Sequence, residues 1–261
     1  MKIGVNWSGQ RELSTLIEVL KINNIDFIEI LIDNFLNTNP DSILKILEGR
    51  QCAFHIMNSQ FLHRSEDSLR EIAWLINRLK KALKPIYISD HIGLFFIENL
   101  STPQMLEINY EEDFDMVSQK IEIWQSILNT SIFLENYPSV ISQVNKQSEF
   151  YYHLIKKTGC NLLFDISNAV VADKNKGESK ENWLKLLPYT QHYHIAGFEP
   201  CTKGDFFIDT HNTCIDLETT KFLEKITNYY NIETISIERD DNFSISDWSK
   251  DIRTVHRYFN A

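Results

Sequence analysis

Cysteine is scarce in this sequence of 261 residues, which has four: Cys52, Cys160, Cys201 and Cys214. No two of them form a C-x-x-C pair. The first residues, Met-Lys-Ile-Gly-Val-Asn-Trp, lack the apolar stretch of a secretory signal peptide. We therefore expect reduced thiols and a cytoplasmic location.

Long apolar runs and basic clusters are missing as well. No stretch approaches the ~18 consecutive apolar residues of a membrane span, so we expect no membrane segment. The formal net charge is −10, from 26 Lys and Arg against 36 Asp and Glu, and such a surface should repel nucleic acid. The pairs Lys80-Lys81 and Lys156-Lys157 fall late in predicted helices, where cations are favoured, and form no basic patch.

Short β-rich segments alternate with longer amphipathic segments along the chain. Strands are predicted at residues 2–6, 26–31, 53–57, 85–91, 131–137, 161–167, 192–197 and 234–239. Helices are predicted between and after them, from their apolar spacing, at residues 13–21, 41–47, 65–83, 110–128, 147–157, 180–187, 217–229 and 246–258. A strand followed by a helix, eight times over, predicts a (β/α)8 TIM barrel with residues 1–261 as a single domain.

The alternative to a closed barrel is an open doubly wound sheet. That sheet usually carries a Gly-rich turn after its first strand, and Asn6-Trp7-Ser8-Gly9 offers no phosphate loop. Two stretches interrupt the alternation: residues 93–108, expected as a loop or small hairpin, and residues 198–214, which are long for a strand–helix connection. Both are expected on the catalytic face, where long loops form lids or contact substrate.

Histidines and carboxylates gather at the predicted strand ends, where barrel enzymes build their active sites. Buried carboxylates that face one another repel by several kcal/mol unless they are protonated or bridged by cations. A lone histidine in a strand is more often a core residue than a ligand, but the whole set favours a metal centre. The candidate ligands are His55, His91, Glu135, Asp165, Asn168, His194, Asp209, His211 and Glu238.

The ligand types narrow the choice of metal. Imidazole and carboxylate without thiolate suit iron, manganese or zinc. The number of ligands exceeds what one ion needs, and suits two or three ions about 3.5–4 Å apart that share bridging carboxylates.

Side-chain alternation separates some candidates and leaves others open. His192 and His194 point to the same side of their strand, and His194 lies nearer its end, so we expect His194 as ligand and a packing role for His192. Asn168 would point away from Asp165 unless the strand has already ended. Spacing therefore does not decide between Asp165 and Asn168.

His211 and Asp240 are also candidates for a catalytic proton relay. The alternatives are a purely metal-binding role for His211 and a loop salt bridge between Asp240 and Arg239 or Arg253. The sequence leaves both open.

The same runs resemble a known family. Leu31-Ile32-Asp33-Asn34-Phe35-Leu36, residues 54–57, 85–91, 134–139, 163–169, 192–197 and 209–211, and Glu238-Arg239-Asp240 are similar to the methanobactin branch of the multinuclear non-haem iron-dependent oxidases. The similarity extends from the first strand to the eighth, in order. Met57-Asn58-Ser59-Gln60 replaces a Gly-rich stretch of the broader family and favours the methanobactin branch, whereas residues 198–207 have no securely aligned counterpart.

This resemblance implies a barrel that holds two or three irons, mixed Fe(II) and Fe(III), and uses O2 as co-substrate. It implies conversion of a cysteine in an MbnA-like, ribosomally made precursor peptide into an oxazolone with a neighbouring thioamide, a four-electron oxidation. It also implies a hetero-complex with an MbnC-like partner protein.

Three other functions stay open. One is a different cysteine-modifying branch of the same oxidase family. Another is a xylose-isomerase-like, metal-dependent isomerase or hydrolase, although the acidic charge disfavours a DNA-repair endonuclease of that kind. The third is a metal-dependent protein that binds a peptide without changing it.

Overall fold

All eight predicted strands are present, and they close into one parallel barrel. The computed structural model describes residues 1–97, 100–140 and 146–258, so the last three residues and two short internal parts of the predicted 1–261 domain lie outside it. The barrel strands are β1 (Lys2–Trp7), β2 (Phe27–Leu31), β3 (Gln51–His55), β4 (Ile88–His91), β7 (Phe133–Glu135), β8 (Asn161–Asp165), β9 (His192–Ile195) and β12 (Thr234–Ile237). Their order around the barrel is β1-β12-β9-β8-β7-β4-β3-β2.

Eight helices cover the described part of the barrel. They are α1 (Leu13–Ile22), α2 (Pro40–Leu47), α3 (Glu66–Leu83), α4 (Phe114–Leu128), α5 (Gln147–Thr158), α6 (Ile166–Lys174), α7 (Leu217–Tyr229) and α8 (Ile245–Arg257). Short 3-10 helices lie at Ile32–Phe35, Lys180–Lys185 and Leu187–Tyr189. Within these residues, none of the helices has the length and apolar character needed to cross a membrane.

Two predictions around helix α6 are wrong: the end of the strand before it and the helix expected after it. The strand predicted at 161–167 ends at Asp165, and α6 starts at the next residue. The helix predicted at 180–187 consists instead of short 3-10 turns. The first seven residues of α6 are all buried, so the segment lacks the one-sided apolar pattern from which an amphipathic helix is recognised.

Two hairpins stand on the strand-end face of the barrel. The stretch 93–108 contains β5 (Leu94–Ile97) and β6 (Leu100–Leu106), which confirms the expected hairpin; its residues 98 and 99 lie outside the described part. The stretch 198–214 contains β10 (Phe198–Pro200) paired with β11 (Phe207–Asp209). These hairpins border the mouth of the barrel.

The barrel interior is layered along the strands. Phe27, Ala53, Tyr87 and Leu163 form a separate buried apolar cluster. Two residues further along their strands come Glu29, His55 and Asp165, which point to the same side because strand side chains alternate with period two. The polar layer therefore lies next to this apolar cluster, at the end of the barrel where the strands terminate.

Candidate metal centre

The strand ends bring most of the predicted ligands into one buried cluster. His55, His91, Glu135 and Asp165 are the last residues of β3, β4, β7 and β8, His194 lies in β9, and Glu238 directly follows β12. All are buried except His91, which is nearly so. Three groups of His and carboxylate side chains have ligand atoms within 4.8 Å of one another and could hold metal ions.

The first group consists of two histidines and a glutamate. Oε2 of Glu135 lies 3.6 Å from Nε2 of His55 and 3.2 Å from Nε2 of His91. The other ring nitrogens are engaged elsewhere, since Nδ1 of His55 lies 2.8 Å from the Ser89 hydroxyl and Nδ1 of His91 lies 3.1 Å from the carbonyl of Ile56. A ring whose Nδ1 donates to a carbonyl leaves its Nε2 lone pair free for a metal.

The second group shares Glu135 with the first. Its members are Glu135, Asp165, His194 and Glu238. Nδ1 of His194 lies 3.1 Å from Oε2 of Glu238 and 3.5 Å from Oε2 of Glu135. A carboxylate common to two groups is placed to bridge two ions.

The third group contains a residue that was not predicted as a candidate. Glu29 lies in the middle of β2 and joins His55 and His194, with its Oε2 at 2.8 Å from Nε2 of His194. The available signal was one carboxylate in an otherwise apolar strand, Phe-Ile-Glu-Ile-Leu. Such a residue is almost never buried without a partner.

Asp209 and His211 approach the cluster from the second hairpin. Nε2 of His211 lies 2.7 Å from Oδ2 of Asp209, at the end of β11, and its Nδ1 lies 3.9 Å from Oε2 of Glu238. His211 has a positive φ of 50°, and it lines the cavity at the barrel mouth.

Asp240 pairs with His211. Its Oδ2 lies 2.9 Å from Nδ1 of His211, and its Oδ1 accepts a hydrogen bond of 2.9 Å from the amide of Asn6. The alternative salt bridge between Asp240 and Arg239 is wrong, because Arg239 pairs with Asp251 at 2.7 Å. Arg253 is likewise not a partner of Asp240 in the described residues.

Asn168 faces the site because the strand has already ended. Its side-chain amide donates to Oε1 of Glu135 and to the carbonyl of Asn136, both at 3.0 Å. Asp165 also points into the site. The geometry thus brings both residues to the cluster, with Asn168 holding the orientation of Glu135.

His192 lies deeper in the barrel than His194. Its Nδ1 lies 2.8 Å from the hydroxyl of Thr234, and its ring stacks on Tyr87. These contacts fit the packing role that we expected for His192.

Several polar atoms at the centre of the cluster are buried without a hydrogen bond in the described part of the chain. They are Oε2 of Glu135, Oδ2 of Asp165, Oδ1 of Asn168 and Nδ1 of His194. Buried polar atoms are nearly always hydrogen-bonded, so a convergent set of unpaired nitrogen and oxygen atoms fits a bound cation. The donor set suits iron, manganese or zinc.

The electrostatics of the cluster also favour a bound cation. Burial and the charges of Glu135, Asp209 and Glu238 raise the pKa of Asp165 well above its ordinary value. Burial opposes protonation of His194, yet Glu238, Glu29 and Glu135 raise its pKa well above the usual range. A cation placed among these groups would relieve the repulsion between the buried carboxylates.

The cluster forms the floor of an open cavity of about 490 Å³. Apolar side chains also line the cavity, among them Leu31, Met57, Met105, Val140 and Ile208. Met105 belongs to the first hairpin and Ile208 to the second, so both hairpins line the entrance.

Hydrogen bonds of two residues, Asn175 and Tyr137, attach the hairpins to the barrel. The side chain of Asn175 donates to the carbonyls of Ser139 and Phe207, both at 3.0 Å, and accepts from the Phe207 N–H at 2.7 Å. The hydroxyl of Tyr137 donates to the carbonyl of Met105 at 3.0 Å. The walls of the cavity are therefore anchored to the end of α6 and to the segment that follows β7.

The sequence is also similar to those of known proteins. A family model described as "RiPP precursor modification enzyme MbnB/TglH/ChrH" matches residues 2–260. A UPF0276 protein of Rhizorhabdus wittichii is 26% identical over 227 residues, which cover 84% of this chain and 80% of the relative.

Solved structures share the fold at low sequence identity. The apo form of the 3-keto-D-glucoside 4-epimerase YcjR from E. coli matches with a TM-score of 0.61 and 12% identity, and covers 100% of both chains. Endonuclease IV from Thermus thermophilus matches with a TM-score of 0.58 and 10% identity, covering 100% of this chain and 99% of its own. These similarities establish the TIM-barrel fold alone.

Proposed function

Since the chain belongs to the MbnB/TglH/ChrH family of RiPP precursor modification enzymes, we propose that it is an iron- and O2-dependent oxidase of peptide cysteine. The substrate is a cysteine of a ribosomally made, MbnA-like precursor peptide. The products are an oxazolone and a neighbouring thioamide, as in the biosynthesis of methanobactin-type copper chelators.

The observation that carries this proposal is the pair of ligand groups that share Glu135. One group offers two histidines, and the other offers three carboxylates and a histidine. Together with Asp209 and His211 they supply enough nitrogen and oxygen ligands for two or three irons, mixed Fe(II) and Fe(III). Bound iron would supply a coordination position for the cysteine sulfur and would pass electrons from the peptide to O2.

The cavity favours a peptide substrate. Its lining combines the anionic cluster with apolar side chains, and ligand sites generally combine an apolar lining with a few polar groups. A cysteine can reach the floor while its neighbours lie against Met57, Met105 and Ile208. An MbnC-like partner protein would present the remainder of the precursor from outside the barrel.

The chain's own residues also provide a proton pathway. His211 lies at the rim, with one ring nitrogen toward Asp209 and the other toward Asp240. Asp240 is half exposed at its side chain, whereas the deeper carboxylates are buried. We assign His211 and Asp240 the transfer of protons between the cavity and solvent, alongside a ligand role for His211.

Mass spectrometry of the precursor peptide tests the proposal. The reaction removes four hydrogen atoms from the peptide and reduces one O2 to two waters, so electrons and protons balance. We expect this mass loss from iron-loaded protein with its partner protein and O2, and none from a peptide whose cysteine is replaced by serine. An unchanged peptide after incubation with fully loaded enzyme, or full conversion without O2, contradicts the proposal.

A different cysteine-dependent mass change would assign the chain to another branch of the same family. An isomerase would instead be active with zinc or manganese and indifferent to O2. The epimerases share only the fold with this chain, so we place the peptide oxidase first.

A further inference from the structure

A hydrogen-bonded column descends from the metal centre into the barrel interior. Nε2 of His194 lies 2.8 Å from Oε2 and 2.9 Å from Oε1 of Glu29. Oε1 of Glu29 also accepts a hydrogen bond of 2.8 Å from the hydroxyl of Tyr87. All three side chains are buried.

The column determines which nitrogen of His194 carries the proton. A carboxylate only accepts hydrogen bonds, so the hydrogen of the neutral imidazole belongs on Nε2, toward Glu29. The lone pair then lies on Nδ1, which is buried, lacks a hydrogen bond in the described residues and faces Glu135 and Glu238. A histidine in this state is ready to bind a metal through Nδ1.

Tyr87 in turn determines the orientation of Glu29. Its ring stacks on His192, with centroids 4.4 Å apart, and packs against Phe133 at 5.8 Å and Phe27 at 6.4 Å. These contacts hold the hydroxyl on Oε1 of Glu29. With Tyr87 and His194 both donating to it, the Glu29 carboxylate is locked between two fixed partners.

We infer that Glu29 and Tyr87 are positioning residues, which hold His194 in the tautomer and orientation that bind a metal at the Glu135–Asp165–Glu238 group. The inference rests on the metal centre of the proposed function, but it does not depend on which reaction follows. Glu29 then lies close to His55 and His194, as in the third candidate group, because it supports His194 of the second group.

Metal titration of three single variants tests the inference. Loss of such an outer hydrogen bond typically lowers metal affinity by about 10–100-fold. We expect Glu29→Gln and Tyr87→Phe each to weaken one metal ion by about 10-fold or more, while the ions bound elsewhere keep their affinity. Tyr193→Phe is the matched control, because the Tyr193 hydroxyl is buried without a hydrogen bond in the described part of the chain. Wild-type affinity for every ion in both Glu29→Gln and Tyr87→Phe overturns the inference.

A measurement on the unaltered chain avoids the risk that a variant does not fold. In zinc-loaded wild-type protein, nitrogen NMR shifts of His194 should show Nδ1 bound to metal and Nε2 protonated. Zinc on Nε2 overturns the inference. Wild-type protein that binds no metal contradicts the proposed function instead, so the two failures are distinguishable.

Discussion

The backbone N–H of Asn168 donates a hydrogen bond of 2.7 Å to Oδ1 of Asp165. This contact ends β8 and caps the N-terminus of α6. The same carboxylate offers its other oxygen to the metal centre, where it is buried without a hydrogen bond in the described residues. Asp165 therefore joins the start of a helix to the candidate metal centre.

Two substitutions at Asp165 separate these roles. In metal-free protein Asp165→Ala should be about 1 kcal/mol less stable than Asp165→Asn, because both substitutions remove the carboxyl group and only asparagine keeps the cap. Asp165→Asn retains an oxygen that can accept from Asn168 and removes a carboxyl group crowded by other carboxylates, so its stability should equal or exceed that of the wild type. Urea unfolding measures both. Equal destabilisation by the two substitutions would refute the capping role.

Metal content gives the second readout for the same pair. Both variants should bind less metal than the wild type. Alanine offers no oxygen to the metal, and the amide oxygen of asparagine carries no charge. Full metal loading of Asp165→Ala would exclude Asp165 as a ligand.

The arrangement at Asp165 also shows what sequence analysis could predict. The strands and their polar ends were recognisable, because parallel barrels place active sites where strands terminate. The choice between Asp165 and Asn168 depended on the residue at which β8 ends. Helix α6 is buried almost all round, and its sequence therefore carries no amphipathic signal to mark that point.

Glu29 was missed for a different reason. Alternation places it inside the barrel with Phe27, but a strand pattern does not tell which interior residues lie at the same height on neighbouring strands. That height depends on the register of the closed sheet, in which Glu29 pairs with Asn6 and Ala53. His194 and Tyr87 become its partners only across the barrel interior.

Gly197 allows the segment that carries His211 to approach β9. A Cβ atom at Gly197 would lie 2.1 Å from the carbonyl oxygen of Thr213, and the carbonyl of Gly197 accepts from the His211 N–H at 3.0 Å. Gly197→Ala should displace this segment, cost about 1–3 kcal/mol from overpacking, and weaken metal binding by Asp209 and His211.

The control for Gly197→Ala is Gly9→Ala, where an added Cβ meets nothing within 4 Å. In thermal unfolding and metal titration, the stability and metal affinity of Gly9→Ala should stay close to those of the wild type. Normal metal binding by Gly197→Ala would show that the close approach to Thr213 does not position His211.

Glu107 gives a pH dependence that can be tested on metal-free protein. Burial raises the pKa of its carboxyl above the ordinary 4.5, although hydrogen bonds from Ser139, Tyr110 and Gln147 oppose the shift. The folded state thus favours the neutral acid, and this contribution to stability is lost as the pH rises from 4.5 through the raised pKa. Glu107→Gln does not titrate, so its stability relative to the wild type should be more favourable at pH 8 than at pH 4.

Urea unfolding at both pH values measures this difference. Glu224→Gln, at an exposed position on α7, is the control and should show no such gain. A Glu107→Gln variant whose relative stability is the same at both pH values would contradict the account of Glu107.

The proposed function requires a cluster of irons in the barrel mouth. Elemental analysis of protein expressed in iron-rich medium and purified without oxygen tests it most directly. The arrangement of Glu135 between two ligand groups predicts two or three equivalents of iron, and Glu135→Ala should lose more than one of them because it removes the bridge. One equivalent of iron or less, with zinc or manganese in its place, would contradict the oxidase and favour a metal-dependent isomerase or hydrolase.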